Sequence, residues 1–219
     1  MKLPYNLIVR LGVVLIWLMI MGCSDEPQQS RNAEFYKKRG NAFADNGQLE
    51  EALQDYNKAV EIDPDYAIAY YNRGIVYVDL GQYEKAVVDY SKAIELNPQD
   101  ADAHYNRADA YLKQGQYDKA ISDYSRAIEL NPKDPEAYYN RANAYAAGKG
   151  YYAEAILDYS RAIGLNPNDP DAFINRAVAY FFEKEYNKTW DDVKKAQSLG
   201  GKINPEFLES LVKASGREK

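Results

Sequence analysis

Small and aromatic residues recur along this chain at fixed intervals. Counting each unit from Ala33, Ala67, Ala101, Pro135 and Pro170, the eighth position is Gly40, Gly74, Ala108, Ala142 or Ala177, and the eleventh is Phe43, Tyr77, Tyr111, Tyr145 or Tyr180. Position 20 holds Ala52, Ala86, Ala120 and Ala155, and position 27 holds Ala59, Ala93, Ala127, Ala162 and Ala196. The period is 34 residues, with one extra residue in the fourth unit. Two helices approach closely only where the facing side chains are small, and neighbouring aromatics then fill the remaining space. The pattern therefore predicts helix pairs packed through their alanines. Turn chemistry marks their ends. Gly47, Gly81 and Gly115 stand where a first helix closes in a left-handed residue. Asp63-Pro64, Asn97-Pro98, Asn131-Pro132 and Asn166-Pro167 end the second helix, because proline cannot continue the hydrogen-bond ladder. Asp134 before Pro135 and Asp169 before Pro170 place an N-cap acid ahead of a first-turn proline.

The fifth unit departs from this pattern: Lys184 replaces the turn glycine, Thr189 the alanine of position 20, Val193 the aromatic of position 24, and Gly201 the closing proline. Terminal repeats are atypical because one side of a stack meets water. Beyond it, Phe207, Leu208, Leu211 and Val212 share one helical face after Pro205, which predicts a capping helix over the last apolar edge.

The period of 34 and the residues above resemble the tetratricopeptide repeat (TPR), whose unit is a helix, a turn and a second helix. The resemblance implies an all-α, right-handed solenoid of five repeats (33–66, 67–100, 101–134, 135–169 and 170–203) with a capping helix and tail at 204–219. It also implies that positions 2, 5, 6, 9 and 12 line a concave groove.

Before the repeats, residues 11–21 are an unbroken apolar run, flanked by Lys2 and Arg10 and ended by Gly22 and Cys23. The run is too short to span a bilayer and has the form of a secretory signal. Ile20, Met21, Gly22 and Cys23, the last the sole cysteine, resemble the lipobox of bacterial lipoproteins. That resemblance implies a signal peptide over 1–22, acylation of Cys23, and attachment to the cell envelope. Ser24 after the cysteine points to the periplasmic face of the outer membrane. Residues 23–32 read as a flexible tether, being polar, glutamine-rich and interrupted by Pro27. Loss of Lys2 and Arg10 moves the formal charge from −6 to −8, which disfavours nucleic acid as a partner.

The side chains predict no enzyme, cofactor or metal site. His104, the one histidine, occupies position 4, where other units have Tyr36, Tyr70, Tyr138 and Phe173, so it reads as a packing residue. Two polar ladders stand out instead. Asn72, Asn106, Asn140 and Asn175 recur at position 6, beside Tyr71, Tyr105 and Tyr139 at position 5. An amide both donates and accepts, which suits the backbone of a bound segment, and groove aromatics serve as anchors. The row resembles the asparagine ladder of the TPR superhelix in O-linked N-acetylglucosamine transferases. Lys37 and Asn41, with Asn72, match part of the carboxylate clamp of chaperone-cofactor TPR domains, whereas Asp102 and Asn106 stand where that family places basic residues. The second ladder pairs arginine at position 7 with aspartate at position 23: Arg39 with Asp55, Arg73 with Asp89, Arg107 with Asp123, Arg141 with Asp158, and Arg176 with Asp192. Positions 7 and 23 face each other across an antiparallel pair, so structural ion pairs are expected. The resulting expectation is a membrane-tethered scaffold or adaptor for other proteins. A pilotin-like assembly factor for a secretin or pilus, and a self-associating scaffold, are the alternatives.

Overall fold

In the computed structural model, which describes residues 28–217, eleven α-helices follow one another and no strand occurs among the described residues. They are α1 (Gln28–Asp45), α2 (Leu49–Ile62), α3 (Ala67–Asp79), α4 (Tyr83–Leu96), α5 (Ala101–Lys113), α6 (Tyr117–Leu130), α7 (Pro135–Lys149), α8 (Tyr152–Leu165), α9 (Pro170–Phe182), α10 (Tyr186–Ser198) and α11 (Pro205–Ser215). The architecture is an all-α helical repeat. The chain divides into two compact units, the first running to Ala69 and the second from Tyr70 onward.

In the first unit, α1 and α2 form a helix pair around Ala52, Tyr56 and Ala59, all buried. α1 begins at Gln28, earlier than Ala33, so residues 28–32 are helical and not part of a tether. No glycine or proline interrupts that stretch after Pro27, and glutamine and arginine are good helix formers. Cys23 and the signal segment lie outside the described residues.

In the second unit the helix pairs of the second, third and fourth repeats close on their position-20 alanine and position-24 tyrosine, and position 10 of the following repeat completes the cluster. Tyr90 packs with Ala86 and Ala110, Tyr124 with Ala120 and Ala144, and Tyr159 with Ala155 and Ala179. The fit is close at position 8: a methyl group on Gly74 would stand 2.7 Å from Tyr90 Cε1. The third, fourth and fifth repeats therefore each supply a wall of their predecessor's core, the nearest-neighbour logic of a solenoid.

The caps follow the local chemistry. Asp134 and Asp169 accept hydrogen bonds from Glu136 N and Asp171 N at 2.9 Å, and Asp100 accepts from Ala103 N at 3.1 Å. The extra residue of the fourth repeat is absorbed in α7, which has 15 residues against 13 in α5 and α9 and ends at left-handed Gly150. At the corresponding turn of the fifth repeat Lys184 has φ 62°, the conformation that glycine takes at Gly47, Gly81 and Gly115. α11 buries Leu211 against Ala177 and Val193, with Trp190, Ile203, Phe207 and Leu208 around them, and so caps the last repeat.

Candidate functional site

The arginine of position 7 points between the two helices of its own repeat. Arg107 donates from Nε to Asp123 Oδ2 at 2.6 Å and from Nη2 to Asp123 Oδ1 at 2.8 Å, a bidentate fork. Arg73 with Asp89, Arg141 with Asp158 and Arg176 with Asp192 repeat this geometry at 2.7–2.8 Å. Arg39 pairs with Asp55 in the same way in the first unit. Each guanidinium also lies over aromatic rings, as Arg176 does over Phe173 at 5.6 Å and Tyr180 at 5.7 Å. Burial opposes the charge on Arg107, but the Asp123 hydrogen bonds and field outweigh it and raise the guanidinium's pKa. These forks satisfy a charge that would otherwise be stranded between helices. A third donor, Nη1, reaches the preceding repeat: Arg107 to Ser91, Arg141 to Ser125 and Arg176 to Ser160, at 2.9–3.0 Å. Sequence reasoning missed these serines, although Ser91, Ser125 and Ser160 recur at position 25.

His104 is buried against the same ladder. Its Nδ1 lies 3.5 Å from Asp123 Oδ1, and neither ring nitrogen makes a hydrogen bond.

On the opposite edge of the first helices of the second unit lie the tyrosines of position 5 and the asparagines of position 6. They are half-buried, and they bond to one another across repeats. Asn106 Nδ2 donates to Tyr71 Oη, Asn140 Nδ2 to Tyr105 Oη, and Asn175 Nδ2 to Tyr139 Oη, each at 2.8 Å. These amides are thus held by their neighbours before any ligand arrives. Asn106 and Asn140 each give one of their two amide hydrogens to a phenol, and the Asn140 oxygen accepts from Asn143 Nδ2 at 3.4 Å, so both donor and acceptor capacity remain along the row but with fixed orientation. Asn143 joins the row from position 9, accepting from Tyr159 Oη at 2.6 Å and from Asn175 Nδ2 at 3.2 Å. In the third repeat Asp109 takes that place and accepts from Tyr124 Oη. Burial and then the field of Asp109, Glu136 and Asp134 push the Tyr105 phenol up. Burial likewise raises Tyr139, with Asp171 and Asp169 adding to it. The strip is thus electronegative.

Two clefts open along this strip between α7 and α9. The first, about 300 Å³, is lined by Tyr105, Glu136, Tyr139, Asn140, Asp169 and Asp171, among others. The second, about 350 Å³, lies further along both helices and is lined by Ala146, Ala147, Tyr152, Asn175, Val178 and Phe182, among others. Tyr152 and Phe182 stack at 4.5 Å between centroids with 8° between planes, and Phe182 is 53% exposed.

In the first unit Asn41 accepts from Tyr56 Oη at 2.8 Å, and Lys37 is half-buried on α1. Among the described residues no group of three or more His, Cys, Asp or Glu side chains is placed to hold a metal ion, and no helix is long and apolar enough to cross a membrane.

Known proteins fit this geometry. Solved structures with the same fold include a crystal structure of MamA (25% identity, TM-score 0.71, covering 74% of this chain and 94% of that one). Another is YrrB, described as a TPR protein with an unusual peptide-binding site (28% identity, TM-score 0.70, 83% and 91% covered). A third is the first TPR of Spaghetti (RPAP3) bound to the HSP90 peptide SRMEEVD (29% identity, TM-score 0.53, 54% and 94% covered). Among curated proteins nothing matches the chain. The family model described as TPR repeat matches at residues 40–81, 76–115, 108–148 and 149–181, well over half of the sequence. With those matches laid over the helix pairs and alanine seams described above, this chain belongs to the TPR repeat family.

Proposed function

We propose that this protein is a membrane-tethered scaffold of the bacterial cell envelope that holds segments of other proteins along the tyrosine and asparagine strip of its second unit. One observation carries the reading. The first helices of successive repeats present amide oxygens and phenol rings in a single row, with two clefts of side-chain size opening beside it. A row of acceptors at repeat spacing suits the N–H groups of an extended chain, and the clefts suit its side chains. Two similar structures, YrrB and the RPAP3 domain, are described by the peptides or peptide-binding sites they contain. TPR proteins are in general non-enzymatic scaffolds. The tether is the acylated Cys23, supported by its place after the apolar run and by the tendency of two or more acyl chains to anchor stably where one is marginal.

The test is photocrosslinking in cells. A photoreactive residue at Val178, in the groove, is expected to capture discrete envelope proteins, whereas one at Val88, 67% exposed on α4, captures none of them. Equal capture from both positions would overturn the groove assignment. Cys23→Ser is expected to release the protein from the membrane fraction, and unchanged detergent partitioning of that variant would overturn the anchor.

A further inference from the structure

The two clefts share their walls, and their chemistry is opposite. α7 and α9 run side by side in the same direction, since Asn175 reaches both Tyr139 and Asn143. Their first turns bound the cleft that holds Glu136, Asp169 and Asp171, and their later turns bound the apolar cleft of Ala146, Ala147, Val178 and Phe182. Among the described residues, no lysine or arginine lines either one. The apolar cleft is floored by alanine and flanked by the Tyr152–Phe182 stack, whose outer ring stays half in water.

We infer that this furrow recognises a two-point motif in an extended partner segment: one lysine or arginine seated among Glu136, Asp169 and Asp171, and one large apolar side chain seated on Val178 and Phe182. The inference rests on the groove reading above and narrows it. Charge complementarity sets the first occupant. Three carboxylates with no lysine or arginine among the lining residues would repel an acidic or C-terminal carboxylate ligand and attract a basic one. The half-exposed aromatic stack sets the second, because aromatic and aliphatic anchors dominate such contacts. Helix geometry sets the separation. The centres of the two linings lie about eight residues apart along α7, or roughly 12 Å at about 1.5 Å per residue. An extended chain advances about 3.3 Å per residue, so the two anchors fall about four residues apart, a spacing that puts both side chains on the same face of the segment.

The experiment uses the full chain purified in detergent and an array of end-blocked peptides carrying one lysine and one phenylalanine in a serine and threonine background. Separations run from one to eight residues, in both orders. Retention is expected to peak at a separation of about four. Glu136→Gln combined with Asp171→Asn is expected to weaken the peak peptide by at least tenfold and to leave its norleucine analogue unchanged. Phe182→Ala is expected to weaken both, with helicity retained in each variant. A profile flat in separation, or equal losses for lysine and norleucine peptides in the carboxylate variant, would overturn the inference. Random peptides that crosslink at Val178 but share no basic–apolar pair would overturn it while leaving the groove reading in place. If no peptide from the array or a random library crosslinks at Val178, both readings fall.

Discussion

Arg39 and Arg107 occupy the same position of their repeats and grip their aspartates with the same two-pronged geometry, yet they stand in different surroundings. The Arg39 side chain is 43% exposed, whereas that of Arg107 is 18% exposed and also holds Ser91 of the preceding repeat. Lys37 and Asn57 stand in the first unit where later repeats have the pinning tyrosine and serine. One motif thus does two jobs. In the first unit it closes a helix pair, and at Arg107, Arg141 and Arg176 of the second it also ties a repeat to the one before. The cost of an ion pair depends on how much water its partner can reach after the pair is broken, so the two units should respond differently to the same change.

The largest expected effect is in strong base. A phenol is charged only when deprotonated, and burial raises the pKa of the position-24 tyrosines above the ordinary value. Their stabilising contribution is therefore complete below pH ~10 and is lost as the pH rises through the folded-state values. Tyr56 is pushed up to about 12, while burial carries Tyr90, Tyr124 and Tyr159 of the second unit further. Alkaline titration followed by phenolate absorbance and circular dichroism is expected to ionise Tyr56 ahead of the other three. Simultaneous ionisation would erase the distinction between the units.

Next comes the pair itself. Asp123→Ala leaves Arg107 charged between helices and is expected to cost about 3 to 5 kcal/mol in denaturant unfolding. Asp55→Ala exposes Arg39 to water and is expected to cost about 1 kcal/mol or less. Equal losses would mean that coverage by a neighbouring repeat contributes nothing.

A smaller effect is expected from Tyr105→Phe, which removes the acceptor of Asn140 and should cost about 1 kcal/mol. A comparable loss from Asn140→Ala, with no further loss in the double variant, would show that the two act as one unit. The smallest is a gain. Lys184→Gly relieves a side chain held at φ 62° and is expected to stabilise the fifth repeat by about 1 kcal/mol. A loss on that substitution would mean that the lysine side chain contributes more than its backbone strain costs.

Much of this molecule was legible in its residues. Alanines at positions 20 and 27 marked where helices touch, prolines marked where they stop, and the sum of positions 7 and 23 placed arginine opposite aspartate, because these features act within one repeat. The asparagines were read only halfway. Their partner is the tyrosine of the previous repeat, and contacts between stacked repeats depend on how far one turns against the next, which a period does not state. A faint signal was present: Tyr71, Tyr105 and Tyr139 run in step with Asn106, Asn140 and Asn175, one period apart. The start of α1 was misplaced because polar composition says little about a helix that continues past its buried face.

The pins described above, which join the third, fourth and fifth repeats to their predecessors, point one way. Arg107, Arg141 and Arg176, like Asn106, Asn140 and Asn175, supply the N–H, and the oxygen that receives it always belongs to the earlier repeat. A chain leaving the ribosome grows from its amino end, and domains fold in that order. Each newly made repeat from the third to the fifth therefore meets a finished template of hydroxyl oxygens and brings the hydrogens itself. Assembly is given a direction, and removal of the fifth repeat leaves Arg141 and Asn140 holding the acceptors they already have, Ser125 and Tyr105.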